Sequence, residues 1–392
     1  MLQKMKNRII FFLLCSTLSI QAQWNKIASG TNKNINAVMN ASTSVIIAVG
    51  DSGLILRSQN TGSSFSIISS GTIKNLNDVY FIDNNKGFIV GDGGTILKTV
   101  NGGITWSAVS SNTSFDLTSI DFNGSNALAV GSNGTIIKSN NSGTNWTSLT
   151  PFSIYLFNKV HFSSANIVVI AGSNGLLIRS IDGGENWTIK NSAAGKSISD
   201  FTFYPNNDDM IFVGNAGLKI TCDTSFSSIN ESIVSGEWLN AIHHIKNSDT
   251  CFVVGKNATI LYSIKNTSYQ SVNNNATEDL NDIVFVNDTT GFIVGSKGAI
   301  YKTITGGITN AVNEIEKISF SLYPNPSNSY FTLSGIENFG NDIELKIYNT
   351  SGQIIYQQKL TSPYIEHQLA EGIYFLQLNS NGKMGTCILI VE

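Results

Sequence analysis

The chain has 392 residues, of which 41% are hydrophobic and 13% charged, a balance typical of a folded protein and not of a disordered one. Its formal net charge is −3, from 24 Lys and Arg against 27 Asp and Glu. Beyond the first eight residues there is no run of basic residues, and the composition therefore argues against a nucleic-acid partner.

The N-terminus predicts a secretory signal peptide over residues 1–22. A positive head (Lys4, Lys6 and Arg8) precedes an apolar stretch too short to span a bilayer, and Ala22 is a small residue suited to cleavage. No later segment is long and apolar enough to cross a membrane. We therefore expect the mature chain to be exported whole, without a transmembrane segment.

A repeat of about 41 residues follows, and its period is in the range of repeat architectures. Each copy has a glycine after a short apolar run, at Gly50, Gly91, Gly131, Gly172, Gly214, Gly255 and Gly295. A second small residue stands three positions after each of them. Short strands and turn glycines at this period are typical of a β-propeller. The sequence predicts an all-β protein with a seven-bladed β-propeller over residues 23–312.

Each unit of the repeat is predicted to hold four strands. In the second unit these are Leu76–Phe81, Gly87–Val90, Thr95–Thr99 and a strand that starts at Trp106, separated by glycine-containing turns. The predicted units are residues 35–75, 76–116, 117–156, 157–197, 198–238, 239–279 and 280–312.

The ends of the repeat region predict how the ring closes. Trp24 has the same phase in the repeat as Trp106, while the last unit has Asn310 where a tryptophan is expected. We expect residues 24–32 to supply the fourth strand of the last unit, which would pair sheet edges that are otherwise exposed.

The turns between third and fourth strands carry the motif Ser-x-Asp-x-Gly-x-x-Trp. An Asp or Asn side chain can bond the backbone of its own turn, and the tryptophan buries a large apolar area. We interpret these residues as structural: Ser180, Asp182, Gly184 and Trp187, with Asn replacing Asp in the sets Asn101, Gly103, Trp106 and Asn141, Gly143, Trp146.

This motif resembles that of the Asp-box (BNR, sialidase-like) propellers. The segment from Val90 to Trp106 is especially similar to the photosystem II stability/assembly-factor type. The resemblance covers about residues 24 to 312 and implies a propeller fold. It does not imply one function, because Asp-box propellers serve many.

After Thr309 the repeat stops. Residues 313–319 are predicted as a polar linker, and the short alternating strands of residues 320–392 predict a small antiparallel β-sandwich.

The last segment resembles the C-terminal sorting domain of type IX secretion cargo. The resemblance implies that type IX secretion machinery recognises residues 320–392 and that the protein is secreted or attached to the outer surface. It leaves open whether the domain is removed and the product anchored or released. An ordinary fibronectin-like stalk is the alternative. The residues that carry the resemblance are Tyr323, Pro324, Asn325 and Pro326, the turn Asn349–Gly352, and Gly372, Ile373 and Tyr374.

Metal and cofactor chemistry is not indicated by the cysteines and histidines. Cys222 and Cys251 lie in neighbouring units, and whether they pair stays open: export favours a disulfide, but their strand positions make the geometry doubtful. There is no Cys-x-x-Cys and no His-x-x-x-His, so no metal and no cofactor are predicted.

Catalytic constellations are mostly missing. A sialidase-like site needs an arginine cluster for its carboxylate substrate, and only Arg57 and Arg179 follow the signal peptide. The leading hypothesis is therefore a non-enzymatic binding or assembly module with an unknown protein or glycan ligand. The alternatives are a glycan-acting glycoside hydrolase with a carboxylate pair on one propeller face, and a purely structural surface component.

The first strands supply the candidates for a site near the axial channel. Asp78, Asp200 and Asp282 share one column of the repeat and are interpreted as repeat architecture. The next column but one varies between units. Its polar members Asp121, His161 and His243 are the candidate ligand-binding residues, against the alternative that they are packed or solvated polar groups.

Overall fold

The computed structural model describes residues 24–149, 155–191, 195–204, 209–246, 248–308, 316–339, 342–380 and 383–392. The predicted signal peptide and residues 313–315 of the predicted linker lie outside this range. The chain divides into two units, Met1–Ile308 and Thr309–Glu392. The described elements are strands and single 3₁₀ turns, which confirms the all-β prediction. None of the described turns has the length and apolar character of a membrane-crossing helix.

The described part of the first unit contains seven four-stranded antiparallel sheets, called blades 1 to 7 in chain order. The first strands are Ile35–Asn40, Leu76–Phe81, Leu117–Asn123, Phe157–Phe162, Ile198–Phe203, Leu239–His244 and Leu280–Phe285. The second strands are Ile46–Gly50, Gly87–Gly91, Asn126–Gly131, Val168–Gly172, Asp209–Gly214, Thr250–Gly255 and Gly291–Gly295.

The third strands are Leu54–Ser58, Thr95–Thr99, Ile136–Ser139, Leu176–Ser180, Leu218–Asp223, Ile260–Ile264 and Ile300–Thr303. The fourth strands of blades 1 to 6 are Ser66–Ile68, Ser107–Ala108, Thr147–Ser148, Thr188–Asn191, Asn230–Ile233 and Gln270–Ser271. In blade 7 the fourth strand is Asn25–Lys26, which pairs antiparallel with Ile300–Thr303.

The blades form a ring, because each first strand contacts the first strand of the next blade and the last contacts the first. A side chain at the second position of a first strand repeatedly donates to the carbonyl oxygen that begins the next first strand. The donor and acceptor pairs, 2.6–3.0 Å apart, are Asn36–Leu76, Asn77–Leu117, Thr118–Phe157, Asn158–Ile198, Asn240–Leu280 and Asn281–Ile35.

The core lies between the blades. The second strands are buried almost throughout, because they run through the middle of sheets that are covered on both faces. The repeat glycines allow close packing here: a Cβ on Gly50 would stand 2.0 Å from the carbonyl oxygen of Asn34. Gly53, three residues on, has a φ of +71°, which side chains other than glycine adopt at a cost.

The Asp-box turns are built from their own side chains. The Ser180 hydroxyl accepts hydrogen bonds from the amides of Gly184 (2.8 Å) and Asp182 (3.3 Å) and donates to Asp182 Oδ1 (2.7 Å). Hydrogen bonds, first from the Asn186 amide, lower the pKa of Asp182 well below its usual value. The turns at Asn101 and Asn141 have the same bonds.

The tryptophans after these turns lie between blades. Trp106, Trp146 and Trp187 each pack against the core shared with the preceding blade. Trp24 does the same between blades 6 and 7, where it meets Phe252 and Phe285 edge to face.

The second unit has a five-stranded and a three-stranded sheet around one apolar core. The first has the order Glu316–Lys317, Lys383–Val391, Gly372–Ser380, Glu344–Tyr348 and Ile354–Lys359. The second has the order Ser321–Tyr323, Tyr330–Ser334 and Tyr364–Glu366. Two features differ from the sequence prediction. Glu316–Lys317 falls in the predicted linker yet forms a strand, and its pairing with Lys383–Val391 is parallel.

The sorting-motif asparagine closes an edge of the five-stranded sheet. The Asn325 side chain donates through Nδ2 to the Ile388 carbonyl oxygen (2.9 Å) and accepts at Oδ1 from the Ile390 amide (2.8 Å). It thus takes the place of a neighbouring strand, which limits pairing with other chains. Nearby, the Tyr374 hydroxyl donates to the Ala370 carbonyl oxygen (2.8 Å), and Tyr323 is exposed.

Candidate functional site in the axial channel

The first strands line a cavity of about 280 Å³ on the propeller axis. Two tiers of first-strand side chains lie around the axis. Most of them line the cavity, but Ala37, Ser119, Ala241 and the predicted site residue Asp121 are not among its lining residues. The upper tier holds the third residue of each first strand, namely Ala37, Asp78, Ser119, Lys159, Asp200, Ala241 and Asp282. The lower tier holds the fifth, namely Met39, Tyr80, Asp121, His161, Thr202, His243 and Val284.

The upper-tier aspartates hold the next blade in place. A first strand is the inner edge of its sheet, so some of its amides find no partner in the sheet itself. Aspartate carboxylates of the preceding blade accept from them: Asp78 Oδ2 from the Ile120 amide (3.1 Å), Asp200 Oδ2 from the Ile242 amide (2.9 Å), and Asp282 Oδ2 from the Val38 amide (2.8 Å).

The remaining carboxylate oxygens are also engaged. Oδ1 of each of these three aspartates accepts from the amide that follows it in the chain. Ser119 replaces aspartate in blade 3, and its hydroxyl accepts from the Val160 amide (3.3 Å). The residues of this column, which the sequence analysis interpreted as repeat architecture, therefore connect each of these blades to the next by hydrogen bonds.

Lys159 occupies the same column as these aspartates. Its Nζ lies 3.6 Å from Asp78 Oδ2 and 4.0 Å from Asp200 Oδ1. It thereby spans the seam between blades 4 and 5 and reaches across the channel to blade 2. Burial alone lowers the pKa of Lys159, but the attraction of the surrounding aspartates outweighs it and raises the pKa above its usual value.

Asp282 is the carboxyl group whose ionisation is most costly here. Burial raises its pKa to about 7, although Lys159 and the Val38 amide act in the opposite direction. A perturbed carboxyl in a cavity often indicates a functional site, but ion networks that support a fold perturb pKa values as well. Since both Asp282 oxygens accept backbone amides, its position also fits a structural role.

The lower tier contains the three candidate ligand-binding residues. Asp121 is buried and accepts the Phe162 amide at Oδ2 (2.7 Å), while His161 Nδ1 lies 3.4 Å from the same oxygen. His243, in blade 6, accepts the Phe285 amide at Nε2 (3.3 Å). Asp121 and His161 thus form a pair, and His243 has a separate partner.

The protonation of His243 agrees with that bond. Burial, together with the neighbouring His244, lowers the pKa of His243 to about 4, which leaves the imidazole neutral at neutral pH and able to accept a hydrogen bond. Met39 is the corresponding residue of blade 1, and its sulfur accepts the Phe81 amide (3.2 Å). At these seams, side chains of this column therefore accept hydrogen bonds from backbone amides of the next blade.

The channel does contain a carboxylate pair. Asp78 Oδ2 and Asp200 Oδ1 each lie within 4.0 Å of Lys159 Nζ, so these two oxygens are no more than about 8 Å apart, and catalytic carboxylate pairs are separated by about 5 to 10 Å. They are buried, however, and Lys159 stands between them. Within the described residues, no group of three His, Cys, Asp or Glu side chains is arranged to hold a metal ion.

Lys159 was missed by the sequence reasoning, although a signal for it is present. It is the single cation in a column of the repeat that otherwise holds Asp, Ser and Ala. A cation in a column of carboxylates on adjacent inner strands predicts an ion cluster on the axis.

Two family models match the chain. Residues 57–153 match the model described as photosynthesis system II assembly factor YCF48, and residues 321–392 match that of the secretion system C-terminal sorting domain. The first unit is an Asp-box propeller of the photosystem II assembly-factor type, and the second is a type IX secretion sorting domain. No curated protein matches the chain.

Solved structures of low identity have the fold of this Asp-box propeller. A structure described as YCF48 bound to D1 peptide is 19% identical, with a TM-score of 0.62, over 72% of this chain and 95% of that one. YCF48 from Cyanidioschyzon merolae is 16% identical, with a TM-score of 0.59, over 71% and 98%.

PorZ of Porphyromonas gingivalis is similar over a longer part of the chain. It is described as an essential bacterial surface component of the type IX secretion system. The identity is 13% and the TM-score 0.57, over 93% of this chain and 60% of PorZ. The sorting domain of the present chain indicates export to the cell surface or the medium by that route.

Cys222 and Cys251, in blades 5 and 6, are free and buried. Cys222 belongs to the apolar core between blades 4 and 5, and Cys251 to that between blades 5 and 6. Burial raises the pKa of both thiols to about 12, so neither is a reactive thiolate at neutral pH.

Proposed function

We propose that this protein is an exported, non-enzymatic propeller that binds a segment of another protein at or outside the cell surface. The seven blades act as one closed ring, and the second unit, a small sandwich, directs the chain to the type IX machinery. The observation that carries the proposal is the engagement of the channel carboxylates: all six oxygens of Asp78, Asp200 and Asp282 accept backbone amides.

A hydrolytic site needs carboxyl groups that are free to protonate a leaving group or to attack. Here the carboxylate oxygens already accept hydrogen bonds from backbone amides within and between blades. Binding is the function that such a scaffold supports best, because its two turn-rich faces can present side chains without movement of the blades. A propeller of the same type has been described in complex with a peptide, which favours a protein segment as the ligand.

The test is a binding and hydrolysis screen with the purified full chain. Arrays of peptides and of glycans are probed with the labelled protein, and the same glycans are incubated with it and assayed for new reducing ends. We expect peptide binding without hydrolysis. Release of reducing ends would contradict the proposal, provided that a control preparation of the Asp200→Asn variant lacks it.

The hydrolase remains the second candidate, because the channel holds two carboxylates, Asp78 and Asp200, that both lie within 4.0 Å of Lys159 Nζ. It predicts hydrolysis that is lost in both Asp78→Asn and Asp200→Asn but retained in Asp282→Asn. The binding proposal predicts instead that all three variants bind peptide and differ from the parent in stability.

Export is tested separately in cells. Deletion of residues 320–392 is expected to keep the propeller inside the outer membrane, measured as loss of surface labelling by an antibody. Surface labelling at the parent level after this deletion would contradict the assigned role of the second unit.

A further inference from the structure

One face of the propeller, here called the connector face, carries the turns between second and third strands and the connectors that lead into the next first strand. At four seams between blades, the residue before the next first strand caps the neighbouring turn. Its side-chain oxygen accepts the amide at the centre of that turn. The pairs are Ser52–Asn75 (2.9 Å), Gly93–Asp116 (2.8 Å), Asn257–Asp279 (2.9 Å) and Lys297–Asn34 (3.2 Å).

This cap is missing at three consecutive seams, from blade 3 to blade 6, here called the open seams. The capping position holds Leu156, Ser197 and Trp238 there. Leucine and tryptophan have no acceptor oxygen, and the Ser197 hydroxyl accepts instead from Asn158 Nδ2 (3.2 Å). Within the described residues, no hydrogen bond engages the central amides of these turns, those of Asn133, Asn174 and Ala216.

The uncapped amides face a place suited to an acceptor. The central residues have φ values of 58°, 57° and 52°. The neighbouring amides of Ser132, Gly134, Ser173, Asn215 and Gly217 already donate to backbone carbonyl oxygens, so the central amide of each turn is left for an outside acceptor oxygen. At the four capped seams the protein fills this place with an Asp carboxylate or an Asn amide oxygen. The fold itself thus indicates which chemical group fits at the open seams.

Exposed apolar side chains lie at the same seams. Trp238 is 47% exposed and Leu156 is 40% exposed, on the connectors that would otherwise supply the caps. Lys256 Nζ stands 4.0 Å from the centroid of the Trp238 ring. An exposed tryptophan with a neighbouring cation is typical of a binding surface, since Trp is enriched among residues that dominate interface energetics.

The charges at the open seams are complementary to an acidic ligand. The turns of blades 3, 4 and 5 begin with uncharged Ser132, Ser173 and Asn215 and therefore place no carboxylate at the open seams. Among the capped turns, those of blades 1 and 2 begin with aspartate and that of blade 7 begins with Ser296. Lys196 and Lys256 lie on this part of the face. The one carboxylate on these connectors, Glu237, accepts a hydrogen bond from Asn257 Nδ2 (2.7 Å).

We infer that the open seams bind an extended acidic peptide segment of a partner protein. Asp, Glu or carbonyl oxygens of the peptide take the place of the missing caps, and its apolar side chains pack on Trp238 and Leu156. This inference rests on the proposed function and gives the face and the chemistry of binding.

The test uses the purified full chain and two fluorescent peptides, one of alternating Asp and Leu and one of alternating Lys and Leu, read by fluorescence anisotropy. Ser197→Asn supplies a cap at one open seam without removal of any apolar side chain, and Ser197→Ala is its matched control. Trp238→Ala removes the apolar contact. Thermal unfolding of each variant checks that the fold is retained.

We expect the Asp–Leu peptide to bind and the Lys–Leu peptide not to bind. Ser197→Asn should weaken binding about threefold or more, the value of one lost hydrogen bond, and Trp238→Ala about tenfold or more. Ser197→Ala should bind like the parent.

Two results would overturn the inference in different ways. If Ser197→Asn and Trp238→Ala bind the Asp–Leu peptide as tightly as the parent, the peptide site lies elsewhere and the proposed function stands. If the parent binds neither these peptides nor any peptide of the arrays, both fail.

Discussion

Trp24 Nε1 donates a hydrogen bond to the carbonyl oxygen of Gly307, 3.1 Å away and 283 residues later in the chain. The Thr303 hydroxyl accepts the Gly307 amide (3.0 Å), as in the other Asp-box turns. The last Asp-box turn therefore takes the threonine and glycine of the motif, Thr303 and Gly307, from blade 7 itself. Its tryptophan, Trp24, comes from the N-terminal part of the chain.

Trp24→Ala is expected to lower the free energy of unfolding of the whole propeller by about 3–5 kcal/mol, the range for a buried aromatic residue. Trp24 is 1% exposed and packs on Phe252 and Phe285. Denaturant unfolding measures the effect, and Trp238→Ala, which removes an exposed tryptophan, is the control. Deletion of residues 24–32 should lower the melting temperature further. A deletion variant as stable as the parent would contradict closure by this strand.

Lys159→Met should destabilise the ring by about 3 kcal/mol at pH 8, because removal of one partner leaves buried carboxylates uncompensated. The pKa of Asp282 is raised to about 7. Protonation of this carboxyl therefore stabilises the folded protein fully below the usual aspartate pKa, and this stabilisation is lost as the pH rises through 7. The penalty of Lys159→Met should therefore be smaller at pH 5 than at pH 8.

Thermal unfolding at the two pH values measures this difference. Lys74→Met, which removes an exposed lysine, is the control and should be close to neutral at both. An equal penalty for Lys159→Met at pH 5 and pH 8 would contradict the assigned contribution of Asp282 to the ion cluster.

Glu278 binds the N-terminal strand through Lys26, and its ionisation affects the stability of the propeller at acidic pH. It accepts hydrogen bonds from Lys26 and from the Tyr301 hydroxyl. Burial raises the pKa of Glu278, but these bonds and the Thr277 amide outweigh it and lower the pKa to about 2. The stability that this group contributes is therefore present above the usual glutamate pKa and is lost as the pH falls from about 4.5 towards 2.

Glu278→Gln is expected to cost at most about 3 kcal/mol at pH 7 and to reduce the loss of stability between pH 4.5 and 2. Urea unfolding across this range measures both. Glu185→Gln, which changes a largely exposed carboxylate, should leave the profile unchanged. A Glu278→Gln profile parallel to that of the parent would show that another carboxyl group determines acid stability.

Asn325→Ala removes the side chain that closes the edge of the sorting domain. Two hydrogen bonds to Ile388 and Ile390 are lost, and we expect the second unit to be destabilised by about 1–3 kcal/mol. Limited proteolysis of the full chain reports this as faster cleavage of residues 320–392. Asn338→Ala is the matched control on a 3₁₀ turn of the same unit, and equal cleavage of both variants would contradict the assigned edge role.

The glycine period was sufficient to predict strands, turns and a propeller, because these depend on contacts within one unit or with an identical neighbour. Gly50 and Gly53 illustrate this: one permits close backbone approach and the other a positive φ, and both needs recur in each blade. The parallel pairing of Glu316–Lys317 was not predictable, since a two-residue strand has no pattern of its own.

The channel was only partly predictable. Asp121, His161 and His243 were identified because their column varies, and the structure places each beside a backbone amide or a neighbouring side chain. Variation in a column of the repeat shows that these positions depart from the repeat, but it does not show why they do. Whether these residues bind a ligand stays a prediction.

The sequence by itself determined the repeat, the kind of turn and the export signal at the C-terminus, since these depend on residues close together in the chain. The sequence also predicted that residues 24–32 complete the last unit. Only the tertiary structure decided that Lys159 meets Asp78 across the channel and that, among the described residues, three turn amides lack a cap. The physical reason is that closing the ring brings together residues far apart in the chain, and their electrostatics and hydrogen bonds depend on distance in space.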